Sequence, residues 1–264
     1  HKMQVQIQRA KDHFFMNITH EFRTPLTIIL GFGRQMTDGA LTTKEELKKA
    51  GGMILRQGNG LLDLVNQLLD IAKEKSVVNQ PLYRHGDAVT YIRMLAECHQ
   101  ILAQDKNIEF LFTAKQSTVM MDFIPSYLTK IVRNLLSNAI KFTPEGGKVS
   151  LNAIQTLKNG TAVTTFVIAD NGCGMSPEFL TRIWLPFEQE NRKIYKNGTG
   201  LGTTISKTLV EKMQGSISVE SKPEQGTAFT ITIPFPISKE RDILRERGGR
   251  ETAVSIRDKH ILVA

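Results

Sequence analysis

The sequence predicts a helical hairpin followed by an α/β sandwich. Up to Ala72, apolar residues recur at alternating steps of three and four, the spacing of helices that pack against each other. Beyond Pro81, short runs rich in β-branched residues alternate with helical patterns. The apolar pattern stops between Lys73 and Pro81, where we place the domain boundary. We therefore expect an α domain joined to an α/β domain with helices on one face of a mixed sheet.

The hairpin is predicted from two apolar stripes, Phe15 to Met36 and Ile54 to Ala72. Between them lies a turn-like stretch, and Thr43 followed by Glu46 predicts a capping box for the second helix. The second stripe contains four residues expected at or near a shared core: Ile54, Leu61, Val65 and Leu68. Further leucines lie beside the main stripes: Leu26, Leu30, Leu62 and Leu69. One hairpin cannot cover this much apolar surface, so we expect a homodimer held by a four-helix bundle.

The second domain is predicted from the order of its elements. The pattern favours a helix from Asp87 to Ala103 capped by Asp87, and a helix from Asp122 to Lys141 capped by Asp122, with Pro125 in its first turn. A short helix starts at Ser176 and Pro177, and a longer one covers Gly202 to Met213. The predicted strands are Ile108–Thr113, Val119–Met121, Val149–Ile154, Ala162–Ala169, Ile217–Glu220 and Ala228–Ile233. The predicted limits are residues 1–78 for the helical hairpin and 79–236 for the α/β domain, and residues 237–264 are predicted to form a charged, Gly-containing linker followed by the start of a strand.

Composition excludes several classes of protein. The net charge of +8 is dispersed rather than interleaved with aromatic residues, so we expect no nucleic-acid partner. The only cysteines, Cys98 and Cys173, are far apart in sequence and indicate neither a disulfide framework nor a metal site. No apolar run approaches the roughly 20 residues that span a bilayer.

A reactive histidine is predicted in the first helix. His20 begins the run His-Glu-Phe-Arg-Thr-Pro, which ends at Pro25. A rotation of about 200° separates His20 from Ile18 and from Phe22 on an α-helix, so the imidazole should face solvent. An accessible neutral imidazole is a nucleophile, and the adjacent Glu21 can accept its ring proton during attack on phosphorus.

Three later segments predict a nucleotide site. Asn134 and Asn138 share one helix face, and an amide oxygen is a good ligand for Mg²⁺. Lys141 follows on the same helix and can contact phosphate. Asp170 ends a strand, where its carboxylate can accept a hydrogen bond from the amine of adenine, and Gly172 and Gly174 let the backbone approach the base. A second group, Gly198, Gly200 and Gly202, opens a helix whose N–H groups can hold phosphate oxygens.

Taken together, these motifs closely resemble the catalytic core of a sensor histidine kinase. The resemblance implies that His20 is phosphorylated, that Glu21 is its base, and that Thr24 orients water for dephosphorylating a response regulator. It implies ATP and Mg²⁺ as cofactors, with Mg²⁺ on Asn138 and adenine on Asp170. By the same resemblance, the stretch from Gly198 through Leu201 binds the nucleotide, and Thr227 lies near adenine. The resemblance also implies that residues Glu188 to Lys196 form a mobile lid.

The identity of residue 134 separates kinases from hydrolases in this resemblance. Hydrolytic relatives carry a glutamate four residues before the Mg²⁺ asparagine, whereas this chain has Asn134, which cannot activate water as a strong base. An ATPase is therefore the weaker interpretation. A nucleotide-binding pseudokinase that acts as a scaffold or regulator phosphatase remains an alternative, although the set of motifs is complete.

The resemblance also implies a cellular setting. We expect a cytoplasmic fragment of a membrane-anchored sensor kinase, whose partner is a response regulator or a receiver domain. Residues 259–264 resemble the first strand of such a receiver domain, which would make the parent protein a hybrid kinase.

Overall fold

The computed structural model describes residues 2–74, 82–115, 119–158, 160–190 and 199–237. Within these ranges the chain forms a helical hairpin and an α/β unit, which confirms the predicted fold class. The predicted receiver strand at 259–264 lies outside the described residues, as does the predicted linker before it. None of the described helices is both long and apolar enough to cross a bilayer.

The hairpin consists of α1 (Lys2–Thr37) and α2 (Lys44–Glu74). Helix α1 continues through Pro25. The predicted capping box is confirmed at the start of α2: the Glu46 N–H donates to Thr43 Oγ1 at 3.2 Å, and the Glu46 carboxylate accepts from the Thr43 N–H at 3.0 Å. Hydrogen bonds to the Glu46 carboxylate, of which the one from the Thr43 N–H has the largest effect, lower its pKa. The capping box thus fixes the point at which the chain turns into α2.

The hairpin half-buries the described residues of the second predicted stripe and leaves several leucines exposed. Leu64 is 2% exposed, and Leu61 and Leu68 are half-buried within the single chain. By contrast, Leu62 is 59% exposed and Leu69 is 46% exposed. Further exposed leucines on the two helices are Leu26, Leu30 and Leu55. These exposed leucines, called the leucine row below, include Leu62 and Leu69, each one position after the half-buried Leu61 and Leu68 of the predicted stripe.

The α/β unit contains a five-stranded sheet in the order β2-β4-β5-β7-β6. Its strands are β2 (Glu109–Ala114), β4 (Lys148–Lys158), β5 (Thr161–Asp170), β6 (Ser216–Lys222) and β7 (Gly226–Pro236). Strand β2 pairs parallel with β4, and the other neighbours are antiparallel. Buried and half-buried residues alternate along β5, so one face of the sheet carries the core.

Helices fill that core. They are α3 (Ala88–Gln104), α4 (Pro125–Phe142), the short α5 (Pro177–Leu180) and α6 (Gly202–Lys212). Leu135 and Leu136 of α4 are buried together with Phe166 and Ile168 of β5. Helix α4 contacts both α3 and α6, so it is the central helix of the layer. The predicted cap of α3 is confirmed, because Asp87 accepts from the Val89 N–H at 2.9 Å.

One local prediction for this domain is wrong. Asp122 does not cap α4: the N-cap residue is Ile124, which has no capping side chain. Asp122 instead lies in β3 (Met121–Phe123), which pairs with β1 (Arg84–Gly86) in a separate two-stranded sheet. There its carboxylate lies 3.0 Å from His85 Nδ1. The carboxylate is used by a partner distant in sequence, which local spacing cannot reveal.

Candidate active site

The histidine of the acceptor motif faces solvent, as predicted. His20 is exposed on α1, whereas Ile18 and Phe22 are half-buried. Glu21 is half-buried beside it, and burial raises the pKa of its carboxyl group, while the charge of His20 acts in the opposite direction. A carboxylate with a raised pKa is a stronger proton acceptor, which suits a base next to an attacking imidazole.

Thr24 lies one turn after the histidine. Its hydroxyl donates to the His20 carbonyl at 3.3 Å, a long bond that is easily exchanged for one to water. A shallow groove of about 410 Å³ adjoins this turn, lined by Ile18, Thr19, Phe22, Arg23 and Leu26. The exposed side of α1 thus offers a nucleophile, a base and a hydroxyl within two turns.

The two asparagines of α4 have different surroundings. The Asn134 amide donates to the Gly202 carbonyl at 3.3 Å, and Ser206 Oγ donates to the same carbonyl at 2.8 Å. Asn134 therefore fastens α4 to the start of α6. Asn138 lies one turn later and is half-buried, and within the described part of the chain its amide makes no hydrogen bond. Its oxygen is available to a ligand, which fits the proposed Mg²⁺ contact.

Lys141 continues the same helix toward its C-terminal end. Burial lowers the pKa of its amine, whose nitrogen lies 4.8 Å from the centre of the Phe142 ring. Among the described residues it forms no ion pair with a carboxylate. A desolvated ammonium without a counter-ion is stabilised by an incoming anion such as phosphate.

Asp170 is the last residue of β5, and its carboxylate is largely buried. Burial raises its pKa to about 6, and hydrogen bonds from the Gly172 and Thr227 N–H groups act in the opposite direction. Gly172 N lies 2.9 Å from Asp170 Oδ1. Thr227 is the residue paired with Asp170 across β5 and β7, so the structure brings these two predicted residues together.

Ser221 belongs to the same group and was not predicted. Its hydroxyl accepts from the Met175 N–H at 2.9 Å, donates to the Gly226 carbonyl at 2.8 Å, and lies 2.9 Å from Thr227 Oγ1. It therefore ties the glycine turn after Asp170 to the strand that carries Thr227. A lone serine in a strand carries no sequence signal for such a role.

The glycines after Asp170 and before α6 also have a structural reason within the protein itself. A methyl group at Gly172 would collide with the Phe142 carbonyl oxygen, and one at Gly174, where φ is +60°, with the Lys222 carbonyl oxygen. Gly200, at φ +67°, would bring a methyl group within 2.6 Å of the Phe187 carbonyl carbon. These glycines let backbone segments of the protein approach one another.

The structure describes only residues 188–190 of the predicted lid. Gly198 and residues 191–197 lie outside the described residues. Phe187 N–H donates to the Gly200 carbonyl at 2.9 Å, which joins the two ends of the segment. Glu188 forms an ion pair with Arg182 at 3.0 Å, and Glu190 accepts from the Ser176 N–H at 3.0 Å.

The start of α6 offers a phosphate site. Leu201 is fully buried at the N-cap position, and the helix begins at Gly202. The first N–H groups of a helix have no partner within it, and they form the positive end of the helix dipole. A methyl group at Gly202 would meet only ordinary contacts, 3.6 Å from Asn134. The N–H groups of this turn could hold phosphate oxygens.

Helix α4 connects these parts into one candidate nucleotide site, which we call the pocket. Near the middle of α4, the Asn134 side chain bonds to the Gly202 carbonyl. At the end of α4, the Phe142 carbonyl accepts a hydrogen bond at 3.3 Å from the N–H of Cys173, which lies in the turn after Asp170. Asn138 and Lys141 lie between these two attachments. Among the described residues, no hydrogen bond or ion pair links His20, Glu21 or Thr24 to this pocket.

Comparisons with known proteins identify both parts. Residues 10–76 match the His Kinase A (phospho-acceptor) domain, and residues 124–237 match the Histidine kinase-, DNA gyrase B-, and HSP90-like ATPase family. The sensor protein EvgS of Escherichia coli strain K12 is 32% identical over 232 residues, which are 88% of this chain and 19% of EvgS. Full-length ShkA, solved in complex with AMPPNP, is 29% identical with a TM-score of 0.62, over 86% of this chain and 46% of ShkA.

The chain belongs to the histidine kinase family and contains its phosphoacceptor domain and its ATP-binding domain. The fold is also that of ThkA in its complex with the response regulator TrrA, with a TM-score of 0.68 at 23% identity, over 88% of this chain and 64% of that one. The chain spans only 19% of EvgS and 28% of the sensor protein GacS of Pseudomonas syringae pv. syringae.

Proposed function

We propose that this chain is the catalytic core of a two-component sensor kinase, which phosphorylates its own His20 from ATP and passes the phosphoryl group to an aspartate of a response regulator. The observation that carries the proposal is the exposed His20 beside the half-buried Glu21, in a chain that also contains an ATP-binding domain. A solvent-facing imidazole with an adjacent base has little structural use on a helix surface.

The reaction follows from these groups. An imidazole nitrogen of His20 attacks the γ-phosphorus, the bond from phosphorus to the β,γ-bridging oxygen breaks, and ADP leaves. The ring proton passes to the Glu21 carboxylate, whose raised pKa favours its acceptance. Phosphoryl transfer needs mainly positioning and neutralisation of charge, and the second domain supplies both.

The nucleotide contacts are assigned by chemistry. The Asp170 carboxylate accepts from the exocyclic amine of adenine, near Thr227 and the turn of Gly172 and Gly174. Lys141 and the first N–H groups of α6, after Gly198, Gly200 and Leu201, hold phosphate oxygens. The free amide of Asn138 fits a Mg²⁺ ligand, and the ion would neutralise phosphate charge when bound.

The surroundings of Asn134 favour transfer to a side chain over hydrolysis. Its amide is directed to the Gly202 carbonyl and offers no carboxylate to activate water. This supports a kinase whose nucleophile comes from the hairpin domain, and nothing in the described residues favours the pseudokinase alternative.

The partners follow from the two exposed surfaces of the hairpin. We propose a homodimer formed through the leucine row, because exposed apolar area of that extent is typical of an interface. We propose a response regulator or receiver domain as the acceptor, with Thr24 orienting water when that acceptor is dephosphorylated. ThkA, which shares the fold, is described in complex with the response regulator TrrA.

The cellular location and the limits of the domains are part of the same proposal. Residues 1–78 act as the acceptor and dimerisation domain, residues 79–236 as the ATP-binding domain, and residues 237–264 as a linker with the start of a receiver domain. Because ATP is the phosphoryl donor, we place the chain on the cytoplasmic side of a membrane-anchored sensor.

Incubation with γ-labelled ATP and Mg²⁺ tests the proposal. We expect a label that is lost in acid and retained in base, because phosphohistidine is a phosphoramidate. The label should be absent in His20→Gln. An acid-stable label, or equal labelling of the variant, contradicts the proposed acceptor.

A further inference from the structure

Lys106 lies in the loop after α3, outside every motif of the pocket. Its side chain is half-buried, and its ammonium donates to three backbone carbonyls: Ile140 at 2.9 Å, Lys141 at 2.9 Å and Thr143 at 2.7 Å. An ammonium has three N–H donors, and here each has a carbonyl acceptor. All three acceptors belong to the C-terminal end of α4, which carries Asn138 and Lys141.

This contact completes the hydrogen bonding at the end of α4. The last four carbonyls of a helix have no partner within it. Here the Ala139 carbonyl accepts from the Thr143 N–H and hydroxyl, and the Phe142 carbonyl accepts from the Cys173 N–H. The two carbonyls between them, of Ile140 and Lys141, accept from Lys106. Its positive charge also lies at the negative end of the helix dipole, where a cation is stabilising.

The backbone of Lys106 is itself held in place. Lys106 N–H and Ile108 N–H both donate to the Ala103 carbonyl, and the next residue, Asn107, has a positive φ of 54°. The Asn107 side-chain amide donates to Glu145 Oε1 at 2.6 Å, and the Asn107 backbone carbonyl accepts from the Gly146 N–H at 2.9 Å. The loop after α3 and the loop after α4 are thus fixed to each other, with Lys106 directed at the helix end.

We propose that Lys106 is a positioning residue for the phosphates of the bound nucleotide, because it holds the last turn of α4 and thereby sets where Asn138 and Lys141 meet them. The inference rests on the proposed function. Lys106 bonds directly to the Lys141 carbonyl, and Asn138 lies one turn before that point. The adenine side of the pocket, built by Asp170, Thr227 and Ser221, has its own hydrogen bonds, and it meets the end of α4 through the Phe142 carbonyl, to which Lys106 does not bond.

The test compares two ligands on the whole chain. Binding of Mg-ADP and of adenosine is measured by calorimetry for the parent chain and for Lys106→Met and Lys106→Arg. Lys106→Met should weaken Mg-ADP binding by about tenfold or more, the effect of losing one or two hydrogen bonds to a charged group, while adenosine binding stays within about twofold. Arginine keeps the positive charge but presents its N–H donors in a planar fork. The affinity of Lys106→Arg for Mg-ADP should therefore lie between those of the parent chain and Lys106→Met.

A matched control is Lys148→Met. Lys148 is a nearby exposed lysine that forms a surface ion pair with Glu109 at 2.8 Å, and its loss should change neither affinity. Circular dichroism and thermal melting follow the fold of each variant. If Lys106→Met does not fold, Lys106→Arg decides the matter through its ratio of Mg-ADP to adenosine affinity.

The outcomes separate this inference from the proposed function. Unchanged Mg-ADP affinity in a folded variant, or equal loss for Mg-ADP and adenosine, overturns the positioning role and leaves the kinase proposal intact. Failure of the parent chain to bind Mg-ADP would instead contradict the proposed function.

Discussion

Replacing Asp170 with Asn should stabilise the nucleotide-free protein while it weakens ATP binding. Burial raises the pKa of Asp170 from its ordinary value of 3.8 to about 6, so the folded chain holds the proton more tightly than the unfolded chain. Between about pH 4 and about pH 6, the stability of the parent chain therefore falls as pH rises, and the loss is complete at neutral pH. A rise of this size corresponds to about 3 kcal/mol, and partial solvent access reduces the expected effect to roughly 1–3 kcal/mol.

The neutral amide avoids this cost but presents the wrong group to adenine. Asp170 Oδ1 is held by the Gly172 N–H, so an asparagine keeps its oxygen there and directs its NH₂ toward the base. Two donors then face each other at adenine, whereas a guanine carbonyl would be accepted. We expect at least about a tenfold loss of ATP affinity and a reduced preference for adenine over guanine nucleotides in Asp170→Asn.

Urea unfolding of the nucleotide-free chains, followed at several pH values, measures the first effect, and nucleotide titration measures the second. The gain in stability of Asp170→Asn over the parent should be present at about pH 7 and should shrink to near zero at about pH 4. A difference that does not vary with pH would refute the burial of a charged carboxylate as its cause. Unchanged nucleotide preference would show that Asp170 acts only as a turn residue.

Three further predictions concern the metal site, the dimer and Thr24. Asn138→Ala should abolish Mg²⁺-dependent nucleotide binding and autophosphorylation while circular dichroism stays unchanged; full activity in the folded variant would place the metal elsewhere. Leu62→Glu with Leu69→Glu should give monomers by sedimentation, since burying each leucine contributes roughly 1.5–3 kcal/mol and a symmetric interface counts each residue twice; a dimer unaffected by both charges would exclude this surface. Thr24→Ala should slow dephosphorylation of a response regulator and spare labelling of His20, and an equal loss of both would contradict a role for the hydroxyl in orienting water.

The sequence predicted the elements whose pattern is long or locally capped. The hairpin, the capping box of Thr43 and Glu46, and the cap of α3 by Asp87 depend on residues within a few positions of each other, and all are confirmed. Strand β1 has only three residues and was missed because its pairing with β3 is the only feature that defines it. Asp122 was wrongly predicted as a helix cap because its partner, His85, lies far away in sequence.

The site residues also fall into those that the sequence predicted and those whose contacts are too distant in sequence to predict. Exposure of His20 followed from helix periodicity, and the adjacency of Asp170 and Thr227 was implied by the resemblance to histidine kinases. Lys106 and Ser221 were not predicted, because their roles depend on backbone atoms far away in sequence. The exposed leucine row was visible as extra apolar residues, but only the packing of the two helices showed that it is more exposed than the half-buried Leu61 and Leu68 of the main stripe.

The position and chemistry of the phosphoryl group test the central claim most directly. After incubation with ATP and Mg²⁺, the peptide that contains His20 is isolated without exposure to acid and sequenced by tandem mass spectrometry, with Asn138→Ala as the unlabelled control. We predict a single phosphoryl group on the imidazole of His20, absent in that control. Phosphate on a serine or threonine, or an unmodified His20 in a chain that binds ATP, would contradict the account.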